Sequence, residues 1–119
     1  MKHKIVLVPF PFDDLSATKV RPAACLTYPI GIHQHVVLAF ITSRIVERPL
    51  ETDIVIHPDS PDFAVSGLRV ASTLQLHRLL TVTRPFIRRE LGELSPDLKI
   101  QVEERLRRMF DLPRDTQVA

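Results

Sequence analysis

The chain has 119 residues, 45% of them hydrophobic and 25% charged, which excludes a disordered segment. It suffices for one domain whose core removes about two-thirds of the unfolded surface from water. A net charge of +2, no Trp and 6% aromatic residues permit contact with a polyanion but argue against an aromatic base-stacking platform. The single cysteine, Cys25, excludes an internal disulfide and a thiolate metal cage, and within an apolar run it reads as a small buried hydrophobe.

The amino-terminal apolar run is broken by Pro9, Pro11 and Asp13-Asp14, too early for a signal peptide or a membrane span, so a soluble cytoplasmic chain is expected. Residues 5–8 predict a strand, which Pro9-Phe10-Pro11-Phe12 ends or carries along a sheet edge. The two phenylalanines suit a cap on the core, with stacking on a base as the other use. A polar loop without glycine follows over residues 13–21. At its end Lys19-Val20-Arg21-Pro22 sets a permanent positive charge where the loop becomes a second predicted strand, residues 23–28. Arg21 has two uses there: an ion pair with Asp13 or Asp14, or a planar fork of donors that holds a phosphate in a cleft.

Residues 36–41 are the strongest apolar run and predict a central strand. Thr42-Ser43-Arg44 at its exit combine two hydroxyls with a guanidinium, a candidate site. His33 and His35 alternate as strand-borne metal ligands would, but a pair without a third ligand reads as an exposed turn. Residues 52–57 predict a short strand stopped by Pro58-Asp59-Ser60-Pro61, and residues 58–69 read as loop. Residues 70–76 are extended, with Ser72, Leu74 and Leu76 on one face and Gln75 and His77 on the other, and residues 79–82 continue apolar. Pro85 marks a corner, and residues 86–92 form a strand whose charged centre places it at a sheet edge.

The one helix expected is the last element. Ser95 is its N-cap, Pro96 its first residue, and Asp97 complements the dipole. Leu98, Val102, Leu106 and Met109 or Phe110 recur at helical spacing, with Glu103–Arg107 and Glu104–Arg108 spaced four apart on the wet side. Arg105, Arg107 and Arg108 read as a solvated face rather than an RNA contact. Several short strands and one terminal helix indicate an α+β fold, a strongly curved sheet or partial barrel forming a single domain over residues 1–119.

The run from Ile5 to Ser16, then Arg21-Pro22, then Phe40-Ile41-Thr42-Ser43, then the Ser95 helix resembles, nearly end to end, the MazF/PemK family of toxin endoribonucleases. The resemblance implies an SH3-like barrel of the MazF/CcdB type with a C-terminal helix, a homodimer, no cofactor or metal, no membrane, and a cognate antitoxin as partner. It implies cleavage of single-stranded RNA by attack of a ribose 2′-OH on the adjacent phosphate. The family's catalytic Arg and Thr fall on Arg21 and Thr42. Many relatives carry an Arg and an Asp where Gln75 and His77 stand, which makes His77 the candidate proton-transfer group. Ser16, Lys19, Ser43 and Gln75 are the expected substrate contacts. Loss of the Arg at Gln75 also supports an alternative, an inactive RNA- or antitoxin-binding member of the same fold. A gyrase poison of the CcdB kind is disfavoured, since Thr116-Gln117-Val118-Ala119 offers no Trp-Gly-Ile tail.

Overall fold

A computed structural model describes residues 1–10 and 19–114, apart from the side chain of Phe10. Within these residues six strands form one antiparallel sheet: β1 (Lys4–Phe10), β2 (Lys19–Cys25), β3 (His35–Thr42), β4 (Asp53–Ile56), β5 (Ser72–Thr83) and β6 (Arg89–Glu93), in the spatial order β4, β5, β3, β2, β1, β6. Among the described residues two helices join them, α1 (Pro61–Ser66) and α2 (Pro96–Met109), and a 3-10 turn at Arg84–Phe86 makes the corner expected at Pro85. β6 lies at a sheet edge, as its charged sequence requires.

The chain differs from the sequence expectation at several boundaries. β1 runs through Pro9 to Phe10, because beyond Leu7 it pairs with β2 alone and a missing N–H on the other side costs nothing. β2 begins at Lys19, so Arg21 lies inside a strand, and Tyr28 falls outside it. Residues 58–69 are not all loop. Ser60 Oγ accepts from the Asp62 amide, Pro61 opens α1, and Gly67 closes it in the left-handed region at φ 74°. Ser60-Pro61-Asp62 thus repeats the signal of Ser95-Pro96-Asp97, and the Ser95 hydroxyl itself donates to Asp62 Oδ1.

Residues 70–82 are one long strand with a break in register. Ala39 pairs with Leu79 but Phe40 pairs with Gln75, so Leu76, His77 and Arg78 are extra residues on β5. The Leu76 amide bonds instead to Thr52 O at 2.8 Å. Such a bulge bends the strand and raises its twist. The first part of β5 is therefore free to pair with β4 while the rest follows β3, and the sheet curls into a half-barrel.

Both faces of the sheet are buried. One carries Ile5, Ala24, Ile41, Ile54, Ile56, Leu74 and Leu76, covered by Leu98 and Val102 of α2; the other carries Val6, Val8, Ala23, Cys25, Leu38 and Phe40. Burying each α2 side chain contributes about 1.5–3 kcal/mol, against at most about 1 for a surface ion pair, so the apolar face holds the helix. The expected i,i+4 pairs give way to longer reaches, with Arg108 to Glu51 at 3.0 Å and Arg114 to Glu104 at 2.7 Å.

Candidate functional site

The β2–β3 ladder pairs Cys25 with Leu38, Ala24 with Ala39 and Ala23 with Phe40, and stops there. The next residue of β2 is Pro22, which has no N–H to continue it. Counted two residues further, the same register sets Arg21 across from Thr42. By strand alternation Arg21, Ala23, Phe40 and Thr42 share a face, so an apolar cluster closed by Ala23 and Phe40 ends at its rim in a guanidinium and a hydroxyl.

That rim is a pocket of about 260 Å³ lined by Arg21, Phe40, Thr42, Ser43, Arg44 and Arg78. Arg44 comes from the chain leaving β3, Arg78 from the bulge of β5. The Arg78 guanidinium carbon lies 5.0 Å from the centre of the Phe40 ring, and its Nη1 donates to Gln75 Oε1 at 3.2 Å. A cation over an aromatic face gains about 0.5–1 kcal/mol when exposed, and the Gln75 bond fixes its direction. Neither Arg44 nor Arg78 has a carboxylate within ion-pair distance among the described residues. Arg44 and Arg78 thus bring two guanidiniums to a space that Arg21 also lines, and the planar fork of such a group matches phosphate oxygens.

The sequence-derived candidates divide. Arg21, Thr42 and Ser43 line the pocket, and Gln75 touches it through Arg78. His77 does not line it. Its Nδ1 lies 2.7 Å from Thr52 Oγ1 and 3.9 Å from Oδ1 of the buried Asp53, whose Oδ2 accepts from the Leu50 amide at 2.9 Å. Lys19 is exposed at the start of β2 and also stands outside the lining. Ser16 lies outside the described residues, as do Asp13 and Asp14, the other partners considered for Arg21.

Arg78 is the pocket residue that sequence reasoning missed. Strict alternation puts residue 78 on the side of Leu74 and Leu76, where a guanidinium has no business, and that conflict was the available signal of a bulge. Elsewhere, burial pushes the Cys25 thiol up to about 11 and, with the charge of Lys2, holds His3 below its ordinary value.

The fold and pocket define a curled half-barrel that presents clustered arginines and hydroxyls at the open end of two strands. The chain belongs to the PemK-like, MazF-like toxins of type II toxin-antitoxin systems, whose family model matches residues 2–110. No curated protein sequence matches it. Among solved structures it is similar to the Mycobacterium tuberculosis toxin MazF-mt6, with 23% identity, 92% of this chain and 98% of that one covered, and a TM-score of 0.70. It is also similar to an endoribonuclease in complex with its cognate antitoxin from Mycobacterial species, with 14% identity, 95% and 96% covered, and a TM-score of 0.68. At these identities the likeness is one of fold. No helix among the described residues is long and apolar enough to cross a membrane.

Proposed function

We propose that this toxin is a metal-independent endoribonuclease that cleaves single-stranded RNA at the arginine pocket. The observation that carries the reading is the convergence of Arg21, Arg44 and Arg78 with the Thr42 and Ser43 hydroxyls on one space. A ribose 2′-oxygen attacks the adjacent phosphorus, its proton passes to water, the bond to the 5′-oxygen breaks, and that oxygen takes up a proton. The products are a 2′,3′-cyclic phosphate and a 5′-hydroxyl. Negative charge gathers on the phosphoryl oxygens and the departing oxygen, where Arg21 neutralises it and Thr42 donates a hydrogen bond. One preorganised donor of this kind is worth roughly 10²–10³ in rate. Guanidiniums thereby do the charge stabilisation a divalent ion would otherwise supply.

Gln75 serves by orienting Arg78, Ser43 by lining the pocket, Lys19 by contact with the RNA strand outside it, and Ser16 as a further substrate contact. His77 is engaged at Nδ1 by Thr52 and stands off the pocket, so the reading has it hold the bulge rather than move a proton. The working unit is one domain spanning residues 1–119, a cytoplasmic homodimer silenced by a cognate antitoxin. Family membership supports the antitoxin, and a structural neighbour has been seen bound to its own.

Purified protein is expected to cut single-stranded RNA in the presence of EDTA, leaving cyclic phosphate ends, and Arg21→Ala to lose at least about 10²-fold of that rate. Undiminished cutting by Arg21→Ala, or activity abolished by EDTA, sinks this reading. A second reading, an RNA binder that does not cut, is favoured by one observation: no imidazole or carboxylate lines the pocket among the described residues. It predicts salt-sensitive RNA binding with no product over long incubation.

A further inference from the structure

A second cleft, of about 380 Å³, lies round the rim of the sheet from the arginine pocket and shares Ser43 with it. Leu7 and Pro22, a register pair of β1 and β2, supply apolar floor on the face turned away from Arg21. Leu68 and Val70, from the segment after α1, form the wall, and Val70 is 52% exposed. Arg69 and Arg89 stand at the cleft from two different elements, and neither has a carboxylate within ion-pair distance among the described residues.

The wall is held firmly. A Cβ on Gly67 would stand 2.2 Å from Leu91 O, and one on Gly92 would stand 2.3 Å from Val65 O, so the end of α1 rests directly on the backbone of β6. The segment that follows Gly67 is therefore carried by a rigid contact and not by its own exposed side chains. An apolar floor with two unneutralised guanidiniums beside it offers one surface for a base and two for phosphates. The volume falls within the range of about 300–1,000 Å³ usual for small-ligand sites.

We propose that this cleft is a second nucleotide subsite, which seats a base of the RNA strand crossing the arginine pocket while Arg69 and Arg89 hold the phosphates on either side of it. The proposal rests on the reading of the arginine pocket as an RNA site. Continuity through Ser43 and the sign of the charge favour an RNA strand over an apolar peptide. A strand too short to round the rim would occupy the arginine pocket alone.

The test uses the full chain with fluorescent, mixed-sequence 2′-O-methyl oligoribonucleotides, which lack the attacking hydroxyl, as a trinucleotide and a dodecamer. Wild-type protein binds the dodecamer more tightly. The double variant Arg69→Gln/Arg89→Gln is expected to lose about tenfold in dodecamer affinity and to flatten the salt dependence by about 1.4, two phosphates at about 0.7 each, with trinucleotide binding unchanged. Val70→Asp, a change at an exposed position, is expected to weaken the dodecamer in the same selective way. Dodecamer affinity and salt slope unchanged in the double variant, while Arg21→Ala weakens both oligonucleotides, would overturn the subsite and leave the RNA reading standing. Unchanged dodecamer binding with weakened binding of poly-glutamate would assign the cleft to an acidic peptide instead. Failure of wild-type protein to bind either oligonucleotide would overturn the RNA reading and the subsite with it.

Discussion

Arg78 lies over Phe40 and is tied to Gln75, so its position in the pocket depends on two neighbours that carry no charge themselves. Gln75→Ala removes the tie and leaves the cation. It should raise KM for RNA several-fold with kcat little changed, whereas Arg78→Ala, which removes a proposed phosphate contact, should lower kcat/KM by roughly 10-fold or more. His77 provides the contrast. Its imidazole faces Thr52 and Asp53, not the pocket, and His77→Gln should keep cleavage within about threefold of wild type. Steady-state kinetics on one fluorogenic RNA separates these cases. A loss beyond about 100-fold in His77→Gln, with thermal stability intact, would return proton transfer to the imidazole.

Among the elements, α1 shows how a short helix becomes structurally decisive. It has six residues, too few to be stable by propensity, and it persists because Ser60 caps it, Gly67 ends it, and its end sits on β6. Gly67 meets two demands at once, a φ of 74° and a backbone contact that leaves no room for a side chain. Gly67→Ala should therefore cost more than about 2 kcal/mol, read as a lowered urea midpoint with an unchanged m-value. The expectation of a loop over residues 58–69 failed because six residues hold too little apolar repeat to register as a helix. The paired cap signals were legible all the same, in Ser60-Pro61-Asp62 as in Ser95-Pro96-Asp97. The bulge of β5 left one sign in the sequence, a charge at Arg78 on the apolar side, but its place and length were not legible, since they are a mismatch between two strands and belong to neither alone.

For the molecule as a whole, stability against acid should trace in part to the amino terminus. The His3 amide donates to Cys25 O and its carbonyl accepts from the Leu94 amide, joining the end of β2 to the link between β6 and α2. Burial first, and then the charge of Lys2, hold the His3 imidazole below its ordinary 6.5, with Glu103 opposing them from 3.9 Å. The folded state thus binds this proton less readily than the unfolded chain does. Its contribution to stability is complete above 6.5 and is lost as pH falls through the lower folded value. Urea midpoints should decline on the acid side of neutrality, and His3→Gln should flatten that part of the profile; a profile identical to wild type would locate the acid sensitivity elsewhere.

What the residues determined unaided was whatever rests on local chemistry. The Ser95 cap and the spacing of Leu98 and Val102 specify α2, the apolar run to Ile41 specifies β3, and the order of Arg21-Pro22 and Ile41-Thr42-Ser43 pointed to the toxin family that the match over residues 2–110 establishes. Each is a matter of near neighbours along the chain, where propensity, capping and periodicity act. Tertiary structure alone decided which charges meet. The three-residue excess of β5 over β3 brings Arg78 into the pocket beside Arg21 and leaves His77 against Thr52, although the two are adjacent in sequence. Register between strands far apart in the chain is set by the packing of both sheet faces at once, and a slip there turns a side chain from one face to the other without any change in the local sequence.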